Sequence, residues 1–411
     1  MNKNTHRLAR NKSRQLNSGF TIVELLVVIV VIGILAAITV VSYTGITSKA
    51  TVAIIKSDLS SASSILKSYQ AIYGSYPTVL DANKCPSSPN ADTSFCLKTS
   101  STSTYSAYMS DGISFGLIEI NPSGYKYKVT ESTPPTPSVV SVICQAGFIA
   151  VPGSSIYGTN DFCVMKYEAK NAGGNIPTSI ATGNPWVSIS QTNAITYSPN
   201  VVGCTGCHLI SEAEWMTIAR DVMLVPSNWS GGAVGSGYIF SGHNDNDPTN
   251  ILAADASDLN GYAGTNDSSG DLGVTGTMVG DTQRRTLTLT SGEVIWDFSG
   301  NVAEWTSNQV SGGQPGMSGD NYAIWVEYPA VNVNGSLPVN PFPSGTGISG
   351  AGTWNSAKGI GDLVSSPGDN TLRPYVRSGA YYDKVHAGIL YLNLGSTIGS
   401  SYTDRGFRVA R

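Results

Sequence analysis

The chain has 411 residues and a formal net charge of −4, from 24 Lys and Arg against 28 Asp and Glu. With a pI near 5.6 it lacks the basic footprint that nucleic-acid binding requires, so no nucleic-acid partner is expected. Only 13% of residues are charged and 45 are glycine, the makeup expected of a turn-rich exported protein long enough for two domains.

Residues 1–19 carry Lys3, Arg7, Arg10, Lys12 and Arg14, contain no acid, and end in Ser18-Gly19. From Phe20 through Tyr43 the sole charged residue is Glu24, and Leu25 to Val41 has none. That run approaches the roughly 20 residues a membrane-crossing helix needs, and the basic flank orients its start toward the cytoplasm. An ordinary secretory signal places its apolar core before the cut. Here Gly19-Phe20-Thr21-Ile22-Val23-Glu24 places it after. The pattern resembles the prepilin leader of type IV pilins and type II secretion pseudopilins. The resemblance implies cleavage between Gly19 and Phe20 by a prepilin peptidase and methylation of Phe20. It also implies that Glu24 pairs with the N-terminal amine of a neighbouring pilin subunit during assembly. A lone carboxylate inside a membrane helix is costly and calls for such a task. The implied itinerary is the inner membrane before assembly, then the pilus or cell surface, with the C-terminal part outside the cytoplasm.

Val52, Ile55, Leu59, Ala62, Leu66, Tyr69 and Tyr73 recur at three- and four-residue steps, the mark of one apolar helix face. Gly74-Ser75-Tyr76-Pro77 supplies a stop, so an assembly helix over 20–74 is expected. Residues 75–132 read as a small head with strands over Ile113–Ile120 and Tyr125–Thr130, joined by the turn signal Asn121-Pro122-Ser123-Gly124. Cys85 and Cys96 flank a polar loop that a disulfide would close. Thr133-Pro134-Pro135-Thr136-Pro137 predicts a stiff spacer, and 133–140 is assigned as a linker ahead of a domain over 141–411.

In that domain Ser211-Glu212-Ala213-Glu214 forms a capping-box signature, with Trp215, Ile218, Ala219 and Val222 as the apolar face of the helix that follows. Four motifs occur in order: Phe162 to Glu168, Leu209 to Trp215, Trp296 to Trp305, and Gly406-Phe407-Arg408-Val409-Ala410-Arg411. Together they resemble the formylglycine-generating-enzyme-like family, a variant of the C-type lectin fold. The fold class expected for the whole chain is therefore α+β: a long pilin helix with a small antiparallel sheet, then a C-type lectin-like domain. Trp296, Trp305, Phe407 and Arg408 are expected as scaffold.

In catalytic members of that family a cysteine pair follows a Gly-Gly-Ser-Tyr segment and binds copper. This chain has Ser378-Gly379-Ala380-Tyr381, and the two cysteine positions fall on Asp383 and Gly388. Without a thiolate there is no soft ligand for copper, so no copper, no formylglycine chemistry and no catalytic residue are expected. The family's calcium ligands match Asn301 and Glu304, whose hard oxygens suit that ion. The run Asn244-Asp245-Asn246-Asp247 lacks a full calcium-loop pattern and is expected as a solvated loop. Cys204-Thr205-Gly206-Cys207-His208 satisfies a c-type haem attachment pattern, but it runs straight into the capped helix. A disulfide, local or to another cysteine, is expected there rather than haem, and Cys144 most simply pairs with Cys163.

The segment Arg377 to Arg408 resembles the C-terminal variable region of diversity-generating-retroelement target proteins, which display a binding face on this scaffold. The resemblance implies that Leu390, Leu392, Leu394 and Phe407 are buried. It places Tyr381, Tyr382, Asp383, His386, Ser396, Ser400, Tyr402, Thr403 and Asp404 on a face for an extracellular protein or glycan. Tyrosine supplies rigid amphipathic contact and serine adaptable polar contact on such faces. The expected role is a minor or tip pilin carrying a non-catalytic binding domain for adhesion or surface recognition. A secretion pseudopilin and, less directly, an enzyme on the same fold are the alternatives.

The leader fixes the first prediction. Mass spectrometry of the surface protein should find a methylated Phe20 at the N-terminus, and Glu24→Ala should leave the chain in the membrane but absent from sheared filaments. An intact Met1, or normal incorporation of the variant, would contradict this reading.

Overall fold

The computed structural model describes residues 50–100, 103–122, 126–265, 283–311, 325–327, 356–365 and 371–411. The chain divides into two compact units, Met1–Ile54 and Ile55–Arg411. Gly19, Phe20, Glu24 and the apolar run lie outside the described residues, among which no helix is long and apolar enough to cross a membrane. The architecture is mixed α/β, mostly sheet with few helices.

Helix α1 spans 50–73. Ile55, Leu59, Ala62, Leu66 and Tyr69 form its buried stripe, at most 1% exposed, as the spacing predicts. Gly74 ends it with φ +79°, a left-handed geometry that glycine adopts without strain. A four-stranded antiparallel sheet follows: β1 (Thr104–Ser110), β2 (Phe115–Ile120), β3 (Lys126–Thr130) and β4 (Thr136–Pro137). Strands β2 and β3 are the two expected, but the sheet is twice that size. Ile113, expected inside a strand, is 82% exposed, because the Asp111 carboxylate accepts from the N–H groups of Ile113 and Ser114 and holds a turn. Strand β4 lies in the Pro-rich segment assigned as a linker, pairing with Tyr127 and Lys128. A two-residue edge strand tolerates proline because its outward N–H is not needed. Asp161 then binds Lys126 at 3.2 Å and the Ser141 N–H at 2.7 Å, tying strand β3 to the residue that follows the segment.

Beyond it, β5 (Phe148–Val151), β6 (Phe162–Met165) and β7 (His208–Leu209) belong to one sheet, completed by the C-terminal strand. Helices α2 (Gln191–Tyr197) and α3 (Glu212–Met223) precede the larger sheet. Its strands are β8 (Ala303–Ser311), β9 (Trp325–Val326), β10 (Leu363–Ser365), β11 (Leu372–Ser378), β12 (Gly388–Leu394) and β13 (Arg405–Phe407). They lie in the order β9-β10-β12-β11-β8-β13. Strand β14 (Val409–Ala410) leaves that sheet and inserts between β7 and β6.

Helix α3 begins at Ser211, where the full capping box forms. Trp215, Ile218, Ala219 and Val222 are all fully buried. The Trp215 ring stacks on Phe298 with centroids 4.0 Å apart, and its indole N–H donates to the Ile389 carbonyl at 2.9 Å. That bond ties α3 to β12, where Leu390, Leu392 and Leu394 are at most 1% exposed. Because Leu392 shares one core with Trp215 and Phe298, Leu392→Ala should destabilise the fold by about 2–5 kcal/mol. A denaturant melt read by tryptophan fluorescence checks this, and an unchanged midpoint would contradict it.

Candidate functional site

The backbone leaving β11 turns sharply at Gly379, whose φ is +87°. A side chain there would come within 2.7 Å of the Ala387 methyl, so the position favours glycine for both conformation and space. The turn is pinned from below. Tyr381 donates its N–H to Asn301 O at 3.0 Å, Lys384 donates to Asn244 O at 2.8 Å, and the Tyr381 carbonyl accepts from Asn246 at 2.7 Å. Asn301 and Asn244 are themselves fully buried. Asn244 bonds Gln283 and Ser241 through its side chain, so the 244–247 run expected as a solvated loop is solvated only toward Asn246 and Asp247.

On this platform Tyr382 is 42% exposed and Tyr402 37%. The Tyr382 hydroxyl donates to the Asp404 carboxylate, and burial, helped by that bond, pushes the phenol up. Tyr381 meets Tyr382 edge to face at 5.0 Å. The Arg405 guanidinium lies 4.0 Å from the Tyr402 ring centroid and 5.4 Å from that of Trp305, a cation–π arrangement that holds the tyrosine in place. Asp383 is raised above the ordinary carboxyl range by burial, against the opposing bond from the Ala380 N–H. The structure therefore brings Tyr381, Tyr382, Asp383, Tyr402 and Asp404 into one cluster, with exposed Thr403 beside them and Ser400 bonded to Thr397 at 2.5 Å.

Two expected residues are placed differently. Ser396 is 2% exposed and accepts from Arg405, so it supports the cluster from inside and does not face solvent. His386 stacks flat on Trp325 at 4.3 Å, and its Nδ1 lies 2.8 Å from Asp362. Burial pushes the Asp362 carboxyl up to about 6, with the His386 bond opposing it. Arg405, Trp325 and Asp362 were not found from the sequence. Arg405 adjoins the terminal motif and was open to recognition; nothing in the local pattern marks the other two.

Asn301 and Glu304 are each bonded within the protein. The Asn301 Oδ1 accepts from the Leu252 N–H at 2.8 Å, and its Nδ2 donates to Glu168 at 2.7 Å. The two Glu304 oxygens accept from Arg408 at 2.8 and 3.2 Å. Among the described residues no group of three or more His, Cys, Asp and Glu is placed to hold a metal ion. All six cysteines are paired: Cys85–Cys96, Cys144–Cys163 and Cys204–Cys207.

Known proteins bear most directly on the N-terminus. No curated protein sequence matches the chain. Three solved structures resemble it distantly. A P3c variant of the major tropism determinant has 11% identity and a TM-score of 0.28, over 65% of this chain and 53% of that one. Variable protein 1 of Treponema denticola has 12% identity and a TM-score of 0.28, over 74% and 98%. PvdO of Pseudomonas aeruginosa has 14% identity and a TM-score of 0.24, over 64% and 90%. The chain thus spans about half the first of these, and likenesses this remote carry no argument alone. Residues 14–40 match the model of the prokaryotic N-terminal methylation motif, and the chain therefore carries a type IV prepilin leader.

Proposed function

We propose that this chain is a minor or tip pilin whose domain over 141–411 has the C-type lectin-like, formylglycine-generating-enzyme-like fold and binds an extracellular protein or glycan without catalysis. The leader supports export and filament assembly, with Glu24 pairing to a neighbour's N-terminal amine. On this reading the small head over 75–132 connects the helix to the binding domain.

One observation carries the binding role. Within the single segment 381–407, Leu390, Leu392, Leu394 and Phe407 are sealed in the core while Tyr382 and Tyr402 stand out in solvent on bonded supports. Exposed aromatics held in one conformation lose little entropy on binding, and such residues dominate binding energy. The methylation motif would serve a secretion pseudopilin equally well. The organised tyrosine cluster favours a subunit with a ligand of its own, and diversification of this segment by a retroelement fits the same split between core and face.

Tyr382→Ala combined with Tyr402→Ala should abolish binding to an array of extracellular proteins and glycans while leaving the thermal midpoint nearly unchanged. His386 is kept intact because its removal would strip the buried Asp362 of a partner. Retained binding would move the face elsewhere, and a large fall in midpoint would place the two tyrosines in the core.

A further inference from the structure

Strand β2 places an acid in the core of the small head. Successive side chains of a strand point to opposite faces, so Glu119 shares a face with Phe115 and Leu117, and all three are buried. On the other face a side chain at Gly116 would meet Ile143 at 3.2 Å. The cross-strand neighbours of Glu119 are Tyr105 on β1 and Tyr127 on β3, and both reach α1. The Tyr105 hydroxyl lies 3.0 Å from the Lys98 carbonyl and 3.4 Å from the Asp58 carbonyl. The Lys56 ammonium stands 5.6 Å from the centroid of the Tyr127 ring. Glu119 therefore lies beneath the turn of α1 that carries Lys56 and Asp58.

Asp58 is half-buried, and its Oδ2 accepts from Ser100 N and Oγ at 2.7 and 2.6 Å. Glu119 is fully buried, and neither of its oxygens has a hydrogen-bond partner among the described residues. A carboxylate ion held in that way is costly, whereas the un-ionised acid carries no charge and has a proton to donate. Burial first, then the charge of Asp58, pushes the Glu119 carboxyl up to about 8, with Ser103 opposing the rise. The other groups around it do not supply a counter-charge. Tyr105 is held un-ionised by burial, and Lys56 lies over the Tyr127 ring without a bond to Glu119.

We infer that Glu119 and Asp58 share one proton and form a pH-sensitive latch between β2 and α1. Two carboxyl groups that meet cannot both ionise cheaply, so one keeps its proton, and the two titrate as a pair. With the proton present, Glu119 donates to the Asp58 carboxylate and ties sheet to helix. Once it is lost, two like charges face each other across the same contact and weaken it. The folded value lies above the ordinary one of 4.5, so the folded chain binds the proton more tightly than the unfolded chain. Stability from this pair therefore falls as pH rises between the two values and levels off above the higher. The latch is closed in acid and neutral surroundings and released in alkaline ones.

Hydrogen exchange of the full-length chain, corrected for the intrinsic effect of pH, tests the latch. Protection of α1 and β2 should fall about tenfold or more between about pH 6 and about pH 9, while that of β12 in the larger sheet holds. Glu119→Gln keeps the shape and a donor but cannot ionise, so its α1 should stay protected across the range. Asp58→Asn removes the charge that opposes ionisation, and should move the fall to lower pH. Parallel losses in α1 and β12 would make the effect global and overturn the inference. So would an unchanged fall in Glu119→Gln or, should that variant not fold, in Asp58→Asn.

Discussion

The structure depends most on one side chain near the C-terminus. Arg408 is fully buried between β13 and β14, the point where the chain passes from the larger sheet to the smaller. Its guanidinium donates to Glu304 on β8, to the Met165 carbonyl at the end of β6 at 2.9 Å, and to the Trp296 carbonyl at 2.9 Å. One planar group thus joins both sheets, a task suited to the fork geometry of arginine. Burial raises the Glu304 carboxyl while Arg408 opposes the rise, so the pair is stable only as a pair. Removing one member of such a pair costs about 3–5 kcal/mol.

Two further buried pairs extend this frame. Arg285 grips Asp297 through two bonds of 2.7 Å, and Arg377 on β11 binds Glu212 at the start of α3 at 2.6 and 2.9 Å. Glu212 also accepts from Thr306 on β8. Helix and sheet are thereby locked in register before any exposed residue is specified. The tyrosine cluster inherits its geometry from this frame through the backbone carbonyls of Asn301 and Asn244, which do not need the identity of Tyr382 or Tyr402. A face built in this way can change its exposed side chains at little cost to stability.

Local chemistry was legible in the sequence and long-range pairing was not. The α3 capping box and the stripe of α1 follow from patterns within a few residues, and the burial of Leu390, Leu392, Leu394, Trp305 and Arg408 from the family resemblances. Strand β1 escaped notice because Thr104–Ser110 alternates weakly, with a single fully buried position. Strand β4 was hidden by its prolines. The resemblance to a variable region places Ser396 on the face; its burial follows from Arg405, which reaches back to it. The pairing of His386 with Trp325 and Asp362 depends on β9, β10 and β12 lying near one another, a fact of topology that no local spacing encodes. At the candidate site the structure gathers Tyr381, Tyr382, Asp383, Tyr402 and Asp404, and buries Ser396 against Arg405.

Arg408 is the joint between the two sheets, and native-state hydrogen exchange on Arg408→Lys tests this most directly. A lysine keeps the charge but loses the bidentate fork. Exchange should be faster in both β6 and β8, the strands flanking the guanidinium, in a chain that remains folded. Faster exchange confined to β14, with β6 and β8 protected as before, would show that the sheets are held together by something else.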